Sequence, residues 1–178
     1  MPVIHRNGLV VDVIDEGSGP PIVLAHSSVS GNRQWKRLIE LLKPRYRVLA
    51  PNLFGYGQTT PWTVDGTQTL RDAAEVLLAV ADGIDGPLRL VVAQIQPNYY
   101  EWDSIDEPET ARLFATVTAR TLLMRCAAGR LVTHDTIEVL REAFPRWSFV
   151  EVGEGGHMAP LSRPDLVNPV LSAFLDTV

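Results

Sequence analysis

Short continuous apolar runs alternate along this chain with longer stretches in which apolar residues recur at helical spacing, and turn-forming residues separate them. The segment Gly8 to Asp15 sets Val11 and Val13 against Asp12 and Asp15, which predicts a half-buried antiparallel edge strand. After the Gly17-Ser18-Gly19-Pro20-Pro21 turn, Ile22 to Ala25 is apolar throughout, as in a strand buried on both faces. Trp35 to Leu42 predicts a helix stopped by Pro44, and Arg47 to Ala50 a strand. The Gly/Pro/Thr-rich passage Pro51 to Thr67 reads as a long surface loop. Leu70 to Ala81 reads as an amphipathic helix ended by Gly83, and Leu88 to Ala93 as a buried strand.

A polar and aromatic passage, Gln94 to Pro108, precedes a helical pattern from Glu109 to Val117. Thr121 to Cys126 and Trp147 to Val152 read as strands. Between them Thr133 to Phe144 is a helix capped by Thr133, and Arg163 to Leu175 is a last helix with Pro164 in its first turn. Strands alternating with helices imply parallel βαβ units in an open sheet covered on both faces. In such sheets the loops at the carboxyl ends of strands carry function, here those after Ala25, Ala50, Ala93 and Val152.

The length of 178 residues, with 46% hydrophobic content, sets one compact domain over 1–178 as the expectation. A formal charge of -5 without a basic cluster argues against nucleic acid and anionic membrane surfaces as partners. One cysteine, Cys126, makes no internal disulfide, and the chain shows neither a leader pattern nor a membrane-length apolar run. A cytoplasmic location is the expectation.

Three segments are similar to the α/β-hydrolase superfamily. Ile22-Val23-Leu24-Ala25-His26-Ser27-Ser28, followed by Gln34-Trp35, resembles the family's strand and oxyanion loop. Tyr46 to Gly57, ending Asn52-Leu53-Phe54-Gly55-Tyr56-Gly57, resembles the next strand and its glycine turn. Phe149 to Met158, with Gly155-Gly156-His157, resembles the last strand and its histidine loop. The resemblance covers nearly the whole chain in the family's order. It implies an α/β fold with a mostly parallel open sheet, helices on both faces, and hydrolysis of small, largely apolar esters or a related displacement, without a cofactor.

That chemistry needs a nucleophile on a strained strand-to-helix turn, a histidine base, an acid that orients it, and backbone donors for the oxyanion. His157 is the candidate base, because two glycines after a strand favour a base-presenting loop over a capping histidine. His26, Ser27 and Ser28 are the candidate oxyanion loop, with Ser27 where the family has glycine; functional and structural readings of this loop stand level. The family's acid position falls near Gly129, which leaves Asp135 as the candidate further on.

The nucleophile elbow is missing. After Leu88 to Val92 the chain reads Ala93-Gln94-Ile95-Gln96-Pro97, and no Gly-x-Ser-x-Gly occurs elsewhere. The simplest account is an internal deletion near 92–96 that removes the elbow, the cap and one central strand–helix unit. Ser28 as a substitute nucleophile lacks an evident base, and Cys126 at a strand end reads as an inert core residue.

Adjacent His134 and Asp135 point apart on a helix, and four dispersed histidines make no metal-site spacing. Gly55-Tyr56-Gly57 opens a loop and not a helix, so it is no dinucleotide loop. Two readings therefore stand: a hydrolase scaffold that is inactive or weak, and a non-catalytic binding or self-association module that uses surface uncovered around Tyr99, Tyr100 and Trp102.

Overall fold

The computed structural model describes residues 3–6, 8–28, 30–62, 68, 70–93, 115–130, 133–156 and 158–177. The expected features at His157, at Tyr99, Tyr100 and Trp102, at the turn after Ala93, and over most of the helix Glu109 to Val117 lie outside these residues. The chain divides into two compact units, Met1–Tyr99 and Tyr100–Val178.

The first unit is built on five strands, β1 Val3–Arg6, β2 Leu9–Glu16, β3 Pro21–Ala25, β4 Arg47–Pro51 and β5 Arg89–Val92, in the order β1-β2-β4-β3-β5. β3 runs parallel to both β4 and β5, while β2 is antiparallel to β1 and β4. Ile22, Val23, Leu24 and Ala25 are all fully buried, as a strand covered on both faces requires.

Helix α1, Lys36–Leu42, follows a 3-10 turn over Asn32–Trp35 and buries Leu38, Ile39 and Leu42. Helix α2, Leu70–Ala81, sets Val76, Ala79 and Val80 against Val11, Val13, Val23, Leu49, Leu53 and Phe54. Because side chains alternate along a strand, Ile22, Leu24 and Val48 point to the opposite face, and they too are fully buried.

Two sequence expectations change here. β2 is not an edge strand, because β1 pairs along its outer side with register Val3↔Asp12 to Arg6↔Leu9. The passage after β4 is not wholly a surface loop either: Asn52, Leu53, Phe54 and Thr59 are buried. The second follows from the chain folding back on β2, where Thr60 N–H donates to Val10 O at 2.9 Å.

The second unit pairs β6, Leu122–Cys126, in parallel with β7, Ser148–Val152, from Leu122↔Ser148 to Cys126↔Val152. Helix α3, His134–Ala143, is the crossover that parallel pairing demands. A short helix α4, Ala159–Ser162, leads to α5, Pro164–Leu175, whose Val167, Leu171 and Leu175 form a buried stripe four residues apart. Phe144 stacks on Trp147 at 4.5 Å where the chain turns from α3 into β7. Among the described residues, no helix is long and apolar enough to cross a membrane.

Thr133 has extended backbone angles, and its hydroxyl accepts the Thr136 N–H at 3.2 Å, the geometry of an N-cap. Thr133→Ala is expected to lower stability by about 1 kcal/mol, read from the midpoint of denaturant unfolding. Thr133→Asn should restore most of that loss.

Candidate functional site

Parallel pairing of β3 with β4 and β5 brings three carboxyl ends to one edge of the first sheet, and Ala93 N–H extends the β5 pairing to Ala25 O at 2.9 Å. Antiparallel pairing brings the middle of β2 to the same edge, with Val13 opposite Pro51 and Asn52 N–H donating to Asp12 O at 2.8 Å. Strand direction alone therefore gathers His26, Asn52 and Asp12.

A buried polar cluster fills this edge. Asp12 is 1% exposed, and its Oδ2 accepts Asn52 Nδ2–H at 3.0 Å and Gln58 N–H at 3.1 Å. Asn52 Oδ1 accepts Asn32 N–H at 2.8 Å, and Asn32 Nδ2–H reaches Ala50 O at 3.1 Å. Thr59 Oγ1 accepts Asp12 N–H at 3.0 Å and donates to Asn52 O at 2.9 Å. A carboxylate out of water needs such donors, and here a side-chain amide and a backbone amide supply them. Asp12 Oδ1 is buried with no hydrogen-bond partner among the described residues.

His26 is fully buried, and both ring nitrogens are engaged. Nδ1–H donates to Ser27 O at 2.7 Å, and Nε2 accepts Leu53 N–H at 3.0 Å. That pair of contacts assigns the neutral Nδ1–H tautomer, since a backbone carbonyl only accepts and an amide N–H only donates. Burial pushes the imidazole below its usual value of 6.5, and the Ser27 carbonyl opposes this more weakly. Tyr56 meets the ring edge-on at 4.7 Å, and burial raises its phenol.

The candidate oxyanion loop is braced from within. Gln34 Oε1 accepts Ser27 N–H at 3.1 Å and Ser27 Oγ–H at 2.9 Å, and Ser30 Oγ–H joins them. Ser27 O accepts Ser30 N–H at 3.2 Å. The imidazole of His26 therefore ties two loops together, and the Ser27 amide serves Gln34; Ser28 is half-buried beside them.

In the second unit the loop after β7 turns sharply: Gly155 N–H donates to Gly153 O at 2.7 Å and Ala159 N–H to Gly156 O at 3.0 Å. Side chains are excluded at Gly155, because a Cβ there would stand 2.9 Å from that of Ala159 and 3.4 Å from Cys126 Sγ. Cys126 is half-buried, and burial pushes its thiol up, away from the thiolate a nucleophile needs. Asp135 is exposed in the first turn of α3, where a carboxylate suits the helix dipole. Gly129 N–H closes a turn on Cys126 O at 2.8 Å. Among the described residues, no group of three His, Cys, Asp or Glu side chains could hold a metal ion.

Sequence reasoning gave Asp12, Asn32 and Thr59 no part in the site, and named Gln34 and Asn52 within the resembling segments without a role of their own. The one signal was Gly57, whose φ of +57° needs glycine and whose missing Cβ makes room for the Asp12 carboxylate and the Asn52 amide. Gly55 shares the left-handed backbone with φ +77° but faces open space. Gly55→Ala is therefore expected to cost about 1–2 kcal/mol for the backbone alone. Gly57→Ala should cost about 1–3 kcal/mol more, because it also displaces buried hydrogen bonds. Equal shifts in the two urea midpoints would remove the steric role assigned to Gly57.

No family model matches the chain. A haloalkane dehalogenase of Agrobacterium fabrum is 29% identical over 181 aligned residues, covering 89% of this chain and 55% of that protein, so the chain spans about half the length of this curated relative. An esterase from Thermogutta terrifontis superposes with a TM-score of 0.79 at 16% identity, covering 99% of this chain and 98% of that one. A haloalkane dehalogenase from Agrobacterium tumefaciens superposes with a TM-score of 0.77 at 17% identity, covering 99% and 96%. The strand order, the loops at the carboxyl ends and these likenesses agree on the fold: the chain has the α/β-hydrolase fold.

Proposed function

We propose that this chain is a hydrolase scaffold without the superfamily's serine chemistry, inactive or weak towards the small, apolar ester-like molecules that an intact relative would cleave. The observation that carries this is the sequence after β5, Ala93-Gln94-Ile95-Gln96-Pro97, which offers no hydroxyl, thiol or carboxylate at the elbow. Acyl transfer begins with attack by such a group on the carbonyl carbon, and no arrangement of base and oxyanion donors replaces it. The likeness to proteins named haloalkane dehalogenase extends the intact relative's substrates to small apolar halides, whose carbon–halogen bond breaks by the same kind of displacement.

In this reading His157 is the surviving base, Asp135 the remaining candidate acid, and His26, Ser27 and Ser28 the surviving oxyanion loop. The neutral, doubly bonded imidazole of His26 supports the view that Ser27 and Ser28 find no base in their neighbour. An internal deletion near 92–96 accounts for the missing parts. The negative charge of -5 and the lone Cys126 favour a cytoplasmic protein without nucleic-acid or membrane partners and without a cofactor.

Intact-mass spectrometry after treatment with a serine-directed fluorophosphonate tests the proposal. No adduct is expected on the folded protein, and any weak, fold-dependent esterase rate should fall in His157→Ala. Stoichiometric labelling that disappears on heat denaturation would overturn it, and peptide mapping would name the replacement nucleophile.

A second reading, a non-catalytic self-association module, is favoured by β5. Among the described residues it is the outer strand of the five-stranded sheet, with Leu90 51% and Val92 52% exposed. Apolar side chains on an outer strand invite pairing with another chain. Sedimentation velocity is expected to show a concentration-dependent dimer that Leu90→Lys with Val92→Lys abolishes. A monomer at all concentrations would remove this reading.

A further inference from the structure

We infer that His26 is a proton-sensitive pin: neutral, it fastens the Leu53 amide of the turn after β4 to the loop after β3, and protonated, it releases that amide. The inference rests on geometry. Nε2 faces the Leu53 N–H at 3.0 Å and Nδ1–H faces the Ser27 carbonyl at 2.7 Å, inside a fully buried pocket. An imidazolium carries hydrogen on both nitrogens and accepts nothing. One proton therefore turns the Leu53 contact from donor–acceptor into donor against donor inside a fully buried pocket.

The segment that would move is short and bounded. Asn52 is fixed from both sides by Asp12 and Asn32, and Gln58 and Thr59 are fixed by Asp12. Between these anchors Leu53 and Phe54 are packed into the core under α2 and Gly55 N–H donates to Thr60 O at 3.3 Å, while the backbone of the turn meets the loop after β3 through Leu53 N–H on His26, with the Tyr56 edge on the same ring. Gly55 at φ +77° and Gly57 at φ +57° sit within it. The imidazole is thus the shared support of two loops at the edge where the superfamily's chemistry is housed.

Among the described residues, few ionisable groups face the ring. From the turn comes Tyr56, which burial keeps neutral. From β2 comes Asp12, which reaches the region only through Asn52, the residue before Leu53, and does not touch the imidazole. Arg33, on the 3-10 turn, is exposed. Burial is the main cause of the lowered His26 value, and no charged neighbour contributes to it. Since the folded value lies below the unfolded 6.5, the stability given by the pin is fully present above pH 6.5 and is lost as pH falls below it.

Nitrogen-15 NMR of the intact chain tests this, following the His26 ring and the exchange of the Leu53 amide together. Above pH 6.5 the ring should show the Nδ1–H tautomer with Nε2 as acceptor. As pH falls through the His26 titration, Leu53 exchange, corrected for its intrinsic pH dependence, should rise roughly tenfold or more while Val23 and Leu49 amides stay protected. His26→Gln, which cannot take up the proton, should remove the step.

Three results would overturn the inference: an Nε2–H tautomer, a His26 titration that leaves Leu53 unchanged, or loss of protection at Val23 and Leu49 together with Leu53. The last is acid unfolding of the whole unit. Should His26→Gln fail to fold, the comparison of Leu53 with Val23 and Leu49 in the unmodified protein decides.

Discussion

Holding the Asp12 carboxylate away from water is the constraint around which the first unit is arranged. A buried carboxylate without donors costs several kcal/mol, a large share of the net stability of a small domain. The two donors to Asp12, Asn52 after β4 and Gln58 just past the glycine turn, lie far along the chain from it, and the Asn32 N–H in turn holds the Asn52 side chain. Each bond fixes a loop as well as a charge. The turn after β4 cannot be splayed outward without stripping Asp12, and Gly57 lacks a side chain because the carboxylate and the Asn52 amide stand where it would be.

The same economy of donors marks the loop after β3. Ser27 N–H, Ser27 Oγ–H and Ser30 Oγ–H converge on one carboxamide oxygen, that of Gln34, and the loop gains rigidity from it. Rigid backbone is what oxyanion binding needs, since donors must already be aimed when charge develops. The order of this loop is supplied locally, by residues within eight positions of one another. The histidine at its start serves the fold through its side chain, whatever the backbone around it serves.

Strands and helices were legible because period 2 and period 3.6 announce which residues share a face. β3 and the Thr133 cap of α3 come out where the pattern puts them. What the pattern cannot say is whether a face is covered. Asp12 alternates with Val11 and Val13 and so looks like a solvent-facing residue; residues 58–60, folding back along β2, bury it. Asn52 and Thr59 were hidden for the same reason, inside a passage whose glycines, proline and threonines suggest surface. β1 escaped notice because Val3–Arg6 is too short and polar to show a period. The candidate chemistry was legible through motif spacing at His26 and Gly155, whereas the tautomer and partners of His26 are set by Leu53, far along the chain.

The 40 positions between Asp12 and Asn52 also impose an order of events on a growing chain. β2 emerges early, yet its inner partner β4 and the donors for its carboxylate arrive only after β3 and α1 have been made. Until then β2 has the β1 hairpin alone, and a two-stranded hairpin is marginal in water. The first sheet therefore closes late and by a non-local step, the slow kind in folding kinetics. A nascent chain paused before β4 is made would present the inner edge of β2 unpaired to the chaperones around it.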